Sequence, residues 1–388
     1  MKVSRPQVLK MVITAALLVG FAALLFVLNS PREGDVPTAA SQLKFARARV
    51  TLVYADDASP DVWTEGLRLG TQQVLVRLES GEFKGTELPA VNYLNAYTNV
   101  DLKVGTNIIV RLDYDGSGAP YIASIANYNR DSVMIGLLVL FSALLIGLGG
   151  KKGVASLLGL IFTVVSIWFF LIPLLRRGVP AIPAAVALVI VTTAVSMLLL
   201  NGFSAKTLCA VLGCVGGVLV AGVVAAVAGN LTPITGFNMA EAEEIVLRVG
   251  DTGLQIRGLL VSGILISALG AVMDTSMSIT SAVFELHNMN PKVERKKLFQ
   301  SGLNIGRDAM GTMSNTLILA FAGASLNTLL LFRVFDYPYL QIFNSDMMAI
   351  EVIQGLSGSI GIVLTVPLVA ALSAAMCGKN PPKQAKKR

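Results

Sequence analysis

The sequence predicts an all-α polytopic membrane bundle of about eight transmembrane helices, with a small all-β extracytoplasmic domain between the first helix and the second. Three observations carry this. Of the 388 residues, 54% are apolar and only 14% charged, against roughly 25% charged in a soluble globular domain. Mean hydropathy is +0.69, and the apolar residues gather in long blocks instead of spreading evenly. The blocks are interrupted once, from residue 31 to 130, by a polar stretch of short β-prone runs. An ordinary cytosolic enzyme is excluded by this composition.

Stretches of about 20 residues with few charges mark the spans. They run approximately over Met11–Leu28, Val133–Gly149, Val154–Leu175, Ala181–Leu200, Thr207–Gly229, Leu254–Met273, Met310–Leu331 and Val352–Met376. The first follows a basic start at Lys2, Arg5 and Lys10, and no small-x-small cleavage site follows it at Asn29-Ser30-Pro31, so it reads as an uncleaved signal anchor. Residues 1–30 are then the start and anchor, 31–130 the β-domain, 131–378 a seven-helix membrane domain and 379–388 a basic tail.

Eight spans put both termini on one side. The formal charge is +7, and its 31 cations divide unevenly. Sixteen lie at the amino end, at Lys151, Lys152 and Lys206, between Lys292 and Arg307, and in the tail. The alternate short loops hold five: Arg176, Arg177, Arg248, Arg257 and Arg333. The positive-inside rule makes the first side cytoplasmic and places the β-domain outside. The basic excess is therefore a topology signal, and the partner it implies is the lipid bilayer, not nucleic acid.

Within the β-domain, Arg49–Tyr54, Gln73–Leu78, Thr106–Leu112 and Tyr121–Ile125 read as strands, with turns at Ser80-Gly81, Lys84-Gly85 and Asp115–Gly118. The pattern suggests an OB-like barrel or a sandwich. Trp63, Tyr93, Tyr97 and Tyr121 are expected in its core, the ordinary place for aromatics, with a binding face as the alternative.

Chemistry is narrowed by what is scarce. Cys209, Cys214 and Cys377 all lie in or beside apolar blocks, which leaves the outside domain without a disulfide framework. His287 is the only histidine, so multi-histidine metal sites are excluded and no cofactor is expected. Gly213 and Gly217 form a GxxxG, and Ser357 and Gly361 a small-xxx-small pair; both predict close helix packing. Pro173 and Pro367 fall inside spans and are expected to bend or end them.

Two polar stripes stand out. Gly263, Ser267, Gly270, Asp274, Ser278 and Ser281 follow at steps of three and four residues, which keeps them on one helix face. Asn304, Asp308, Thr312 and Asn315 repeat the pattern, with Gly311 and Ser314 alongside and Arg307 adjacent. Asn290-Pro291 predicts an N-cap and first turn, so one helix is expected to start there and run into the seventh span. Intramembrane carboxylates are expensive unless they face water or the bundle interior, which makes Asp274 and Asp308 the leading functional candidates. The bland alternative has Asp274 capping the end of its span and Arg307 paired with Asp308 or Asp274. Farther along the outside, Asn238 with Glu241 resembles a capping box and Glu244–Arg248 an i,i+4 pair. A short helix is expected there, with Glu241, Glu243 and Glu244 either solvated or gathering cations.

Leu269–Ser281 (LGAVMDTSMSITS), Asn290-Pro291 and Ser301–Gly323 (SGLNIGRDAMGTMSNTLILAFAG) resemble the YibE/F-like family of bacterial multi-pass membrane proteins, the likeness extending over about Ser132–Met376. The resemblance implies a cell-membrane protein and a second membrane subunit or another copy as partner. It marks Asp274, Arg307, Asp308, Thr312 and Asn315 as distinctive and assigns no activity. Three function classes follow from the residues. One is a transport or export component with a polar pathway between the sixth and seventh helices, lined by Asp274, Ser278, Asn304, Arg307, Asp308, Thr312 and Asn315. The second is a membrane-anchored binding or scaffold protein acting through the β-domain. The third, an intramembrane aspartyl protease, is disfavoured, because Arg307 beside Asp308 opposes a shared proton.

Overall fold

The computed structural model describes residues 19–30, 44–114, 118–234 and 256–377. The chain forms two compact units, Pro31–Leu144 and the pair of segments Met1–Ser30 and Leu145–Arg388. The predicted helix around Glu241–Arg248 lies outside the described residues.

The first unit holds a six-stranded sheet closed into a barrel: β1 (Lys44–Asp56), β2 (Ser59–Pro60), β3 (Arg68–Leu78), β4 (Glu87–Leu94), β5 (Asn107–Tyr114) and β6 (Pro120–Tyr128). The order is β1-β5-β6-β4-β3-β2, and an extra β1·β3 pairing closes it. All pairs are antiparallel except β4·β6. Period-two alternation turns Val74, Val76 and Leu78 inward with Ala46, Ala48, Val50, Ile108 and Val110 to form the core. Strand β4 was not legible in the sequence, because Pro89 interrupts its β-prone run; opposite Leu75 at an exposed position, the proline is accommodated. The expected aromatic core is overturned. Trp63, Tyr93, Tyr97 and Tyr121 are all exposed, and the core is aliphatic.

One buried polar node fastens the barrel. Gln72, fully buried, donates from Nε2 to Asp56 Oδ2 (3.0 Å), Asp101 Oδ1 (3.3 Å) and Leu102 O (3.2 Å), while its Oε1 accepts from Asn92 Nδ2 and Leu102 N, both at 3.0 Å. Arg68 bonds Asp56 (2.9 Å), Ala58 O (2.7 Å) and the Asp101 carboxylate. Every polar atom of Gln72 is satisfied, the condition for burying an amide without penalty. The Gln72 hydrogen bond, against opposing desolvation, holds the Asp56 carboxyl below its usual range, with Ala58 N–H and Arg68 assisting.

The second unit is helical: α1 (Val19–Asn29), α2 (Asp131–Arg176, whose first residues belong to the barrel unit), α3 (Ala181–Asn201), α4 (Ala205–Leu231), α5 (Ile256–Met289), α6 (Arg295–Ala324), α7 (Leu326–Val334), α8 (Tyr339–Phe343) and α9 (Asp346–Cys377). Five of these helices are long and apolar enough to cross a membrane, and six if α6 and α7, bent by 55°, count as one broken span. The described part of the first expected span, α1, is 11 residues long. The 46 residues of α2 are not one rod. Gly150 has non-helical angles (φ 54°, ψ −133°), and a Cβ on Gly153 would collide with Leu145 O. In a straight helix residues eight apart lie about 12 Å apart along the axis, so the chain doubles back here, at the expected boundary between the second and third spans. A π-helical turn, Ile167–Leu171, precedes Pro173, and the helix continues past both prolines instead of ending.

Contacts fix the helix directions. Arg177 Nη2 donates to Val27 O (2.9 Å) and Leu28 O (2.6 Å), and Phe21 packs 5.2 Å from Phe162, so α1 runs parallel to the second arm of α2. Gly159 meets Ser196, making that arm antiparallel to α3. In the core, Gly213 lies on Val369, Gly217 on Thr365, Gly361 on Ala221, Gly302 on Val283 and Ala370, and Gly306 on Val366 and Ile279. Thus α4 and α6 run opposite to α5 and α9, with glycines at each close approach, as the GxxxG and small-xxx-small patterns predict.

Candidate functional site

The first polar stripe falls on α5, but the helix is longer than its apolar block. It continues fifteen residues past Asp274 to Met289. Polar residues do not end it because Thr275 Oγ1 returns its proton to Ala271 O (2.8 Å), and Thr275, Ser276 and Thr280 are buried against neighbouring helices. Asp274 therefore sits in a helix interior and caps nothing, which overturns the capping alternative. Gly263, Ser267, Gly270, Asp274 and Ser278 are all exposed, and Ser281 is half-buried. The opposite face, with Ile264, Leu265, Ala268, Val272, Ile279 and Val283, is buried. A Cβ on Gly263 or Gly270 would meet nothing within 4 Å.

The second stripe behaves alike on α6. This helix starts at Arg295 with Glu294 at its N-cap, not at Pro291. Asn290 Oδ1 is occupied by Lys292 N–H (3.2 Å) in a turn that closes α5, so the expected cap at Asn290 is not made. From Arg295 the helix runs unbroken through the predicted stripe. Asn304, Arg307, Asp308, Gly311, Thr312 and Asn315 are exposed, while Leu298, Gly302, Gly306 and Leu317 are buried on the far face.

Which residues meet is now clear. Arg307 Nη1 donates to Asn304 Oδ1 (3.3 Å), and Thr312 Oγ1 to Asp308 O (3.3 Å). Neither the Asp274 nor the Asp308 carboxylate has a hydrogen-bond or ion-pair partner among the described residues, so the expected Arg307 pairing is not formed. The helices touch instead through Ile279, Val283, Gly302 and Gly306. Carrying that register forward puts Asp274 level with Gly311, Asp308 level with Met277 and Asn315 level with Gly270. The two stripes thus share one depth and face away from the helix contact. Asn201, the last residue of α3, donates to Met277 Sδ (3.3 Å), so Asp274 stands one turn inside the level where α3 ends.

Several polar groups escaped the sequence reading. Gly302 and Gly306 form a GxxxG that was legible but unweighed. Cys209 Sγ lies 3.2 Å from Ser373 Oγ, which lies 3.4 Å from Thr280 Oγ1, joining α4, α9 and α5 through buried side chains. Glu351 sits just before the expected start of the last span, yet α9 begins at Asp346 and includes it, with Oε2 buried and unpartnered. Among the described residues no three His, Cys, Asp or Glu side chains gather as a metal site.

Fold and stripes together define a membrane protein with a helical bundle, a β-barrel domain and two outward polar helix faces. A family model described as YibE/F-like protein matches residues 137–379, the greater part of the chain. The chain belongs to the YibE/F-like family. No curated protein and no solved structure matches it.

Proposed function

We propose that the chain is a transport or export component of a bacterial cell membrane, in which the faces of α5 and α6 line a polar pathway once a second membrane subunit or another copy covers them. The observation that carries this reading is the pair of unpartnered carboxylates, Asp274 and Asp308, at one depth on two outward faces of small and polar residues. Turned to lipid, these faces would expose a carboxylate one turn inside the level where α3 ends, and the Asn315 amide deeper still. A wet cleft at a subunit boundary removes that cost. Arg307, Asn304 and Ser278 then form the mouth, Asp274 or Asp308 serves as the proton or cation site, and Thr312 and Asn315 lead inward.

An eight-span topology, with both termini cytoplasmic and residues 31–130 outside, agrees with this reading. The reversal at Gly150 supports two spans within α2. The alternating directions of α3, α4, α5, α6 and α9 support one crossing each, and Arg177 beside Leu28 supports a common side for the ends of the first and third spans. The test is uptake or efflux of protons and monovalent cations by proteoliposomes carrying Asp274→Asn or Asp308→Asn. Reduced flux in either supports the pathway; unchanged flux in both sinks it. Should deletion of residues 31–130 abolish the cellular phenotype while both aspartate variants keep it, the scaffold reading replaces this one.

A further inference from the structure

The most exposed apolar side chains of the barrel stand at two loop tips. Val62 is 86% exposed, Trp63 92% and Tyr97 fully. Each aromatic is presented by the same device. Asp61 Oδ2 accepts from the backbone N–H groups of Trp63 (3.3 Å) and Thr64 (2.9 Å), and Asn95 Oδ1 from those of Tyr97 (2.8 Å) and Thr98 (2.7 Å). Backbone bonds from Asp61 N–H to Leu67 O (2.8 Å) and from Asn95 N–H to Thr98 O (3.0 Å) close both turns. The rings are held clear of the barrel by hydrogen-bonded turns, although burial against it would stabilise them by about 25 cal/mol for each Å² covered.

Both tips belong to the end of the barrel from which the chain enters the membrane. Strands β4 and β6 are parallel, so they leave by the same end. The pairing of Val91 with Ser124, carried forward, sets Tyr97 level with Arg130, one residue before α2 starts at Asp131. Side chains tie the same groups together. Tyr128 Oη donates to Asp101 O (3.0 Å), the Asp101 carboxylate pairs with Arg68, and Arg68 donates to Ala58 O (2.7 Å) while its own carbonyl accepts from Asn99 Nδ2 (2.6 Å). Arg47 pairs with Asp131 at 2.6 Å and fixes the first residue of the helix to β1. Just beyond, Val133, Met134, Ile135, Leu137 and Leu138 are exposed apolar residues suited to lipid.

We propose that Trp63 and Tyr97 seat in the interfacial layer of the bilayer that α2 enters and hold this end of the barrel on the membrane surface. Their rings combine an apolar body with a polar N–H or O–H, the composition that partitions to the headgroup level. The charge around them sets the lipid class. Asp57, Asp61 and Glu65 flank Trp63 in sequence, the first cation after it, Arg68, is engaged by Asp56 and Asp101, and Arg130, level with Tyr97, donates to Asn127 Oδ1 and lies 5.7 Å from the centre of the Tyr128 ring. The seat therefore depends on the rings and forms on zwitterionic phosphocholine without anionic lipid.

The full chain carrying Trp168→Phe, in phosphocholine nanodiscs, leaves Trp63 as the sole tryptophan. A spin label on the lipid near the glycerol backbone is expected to quench its fluorescence roughly twofold, with iodide in the water quenching weakly. The variant combining Trp63→Phe, Trp168→Phe and Tyr97→Trp reports from the second tip and is expected to behave the same. Both tips and the Trp168 side chain are exposed, so these changes leave the fold intact. If lipid label has no effect and iodide quenches as it does free tryptophan, the proposal is overturned and the loops are left to a partner in water, protein or glycan. Quenching that appears only with anionic lipid overturns it as well.

Discussion

The Thr365 hydroxyl lies against Gly217, so close that a Cβ on the glycine would collide with it, and it donates at 2.7 Å to Gly361 O; a Cβ on Gly361 would in turn collide with Ala221. Helices α4 and α9 meet here with no room for a side chain. Most of the glycine enrichment of the core helices has this steric origin.

Replacing Gly213 or Gly217 by Leu should overpack this seam and destabilise the bundle by about 1–3 kcal/mol, with larger values where the helices cannot separate. Thermal unfolding in detergent checks it. Gly270→Ala, where nothing lies within 4 Å, should leave the melting temperature unchanged.

The Gln72 node in the barrel makes a separate prediction. Gln72→Leu strands the Leu102 N–H and leaves Asn92 Nδ2 with only its bond to Val100 O, and a buried group left unpaired costs roughly 1–3 kcal/mol. Arg68→Ala should cost less, about 1 kcal/mol, because its ion pairs are partly open to water. Amide exchange of Val74 and Val76 in the full chain should rise more for Gln72→Leu than for Arg68→Ala.

Acid should loosen the same node. Asp56 has its carboxyl pKa held down in the folded chain, so its contribution to stability is complete above the unfolded carboxylate value of about 3.9 and is lost as pH falls through the lower folded value. Exchange protection of the barrel should fall below about pH 4 by this route. In Asp56→Asn that acid-dependent part should disappear.

Arg177 closes the exposed carbonyl end of α1. Arg177→Met should speed amide exchange at Leu25–Asn29 by roughly tenfold or more, by loss of charge-assisted bonds worth about 1.5–3 kcal/mol, while α4 stays protected.

Much of this was legible in the sequence, and the gaps have physical causes. Five long apolar helices were readable because a bilayer demands long apolar blocks, and the glycine pairs because helix contact demands small residues at one spacing. The length of α5 was hidden because hydropathy falls at Asp274 although Thr275 and Thr280, whose hydroxyls bond Ala271 O and Ser373 Oγ, let the helix continue buried. Asn290 misled because an Asn before Pro caps a helix or closes a turn equally well, and only the position of Lys292 N–H decides. Trp63 and Tyr97 looked like core because composition carries no direction, and the turns built by Asp61 and Asn95 point them outward. The two stripes were found by spacing alone; their outward orientation needed the glycine contacts on the opposite faces.

In the proposed pathway the α5 and α6 stripes face water within the assembled protein. Cysteines placed singly at Ser267, Ser278 and Asn315, in a chain whose buried Cys209, Cys214 and Cys377 are serine, test it in native membranes with a hydrophilic methanethiosulfonate reagent. Reaction is expected at all three positions and none at Val223→Cys and Val227→Cys, where the native valines are exposed apolar side chains on α4. Stripe cysteines as inert as those two would contradict it.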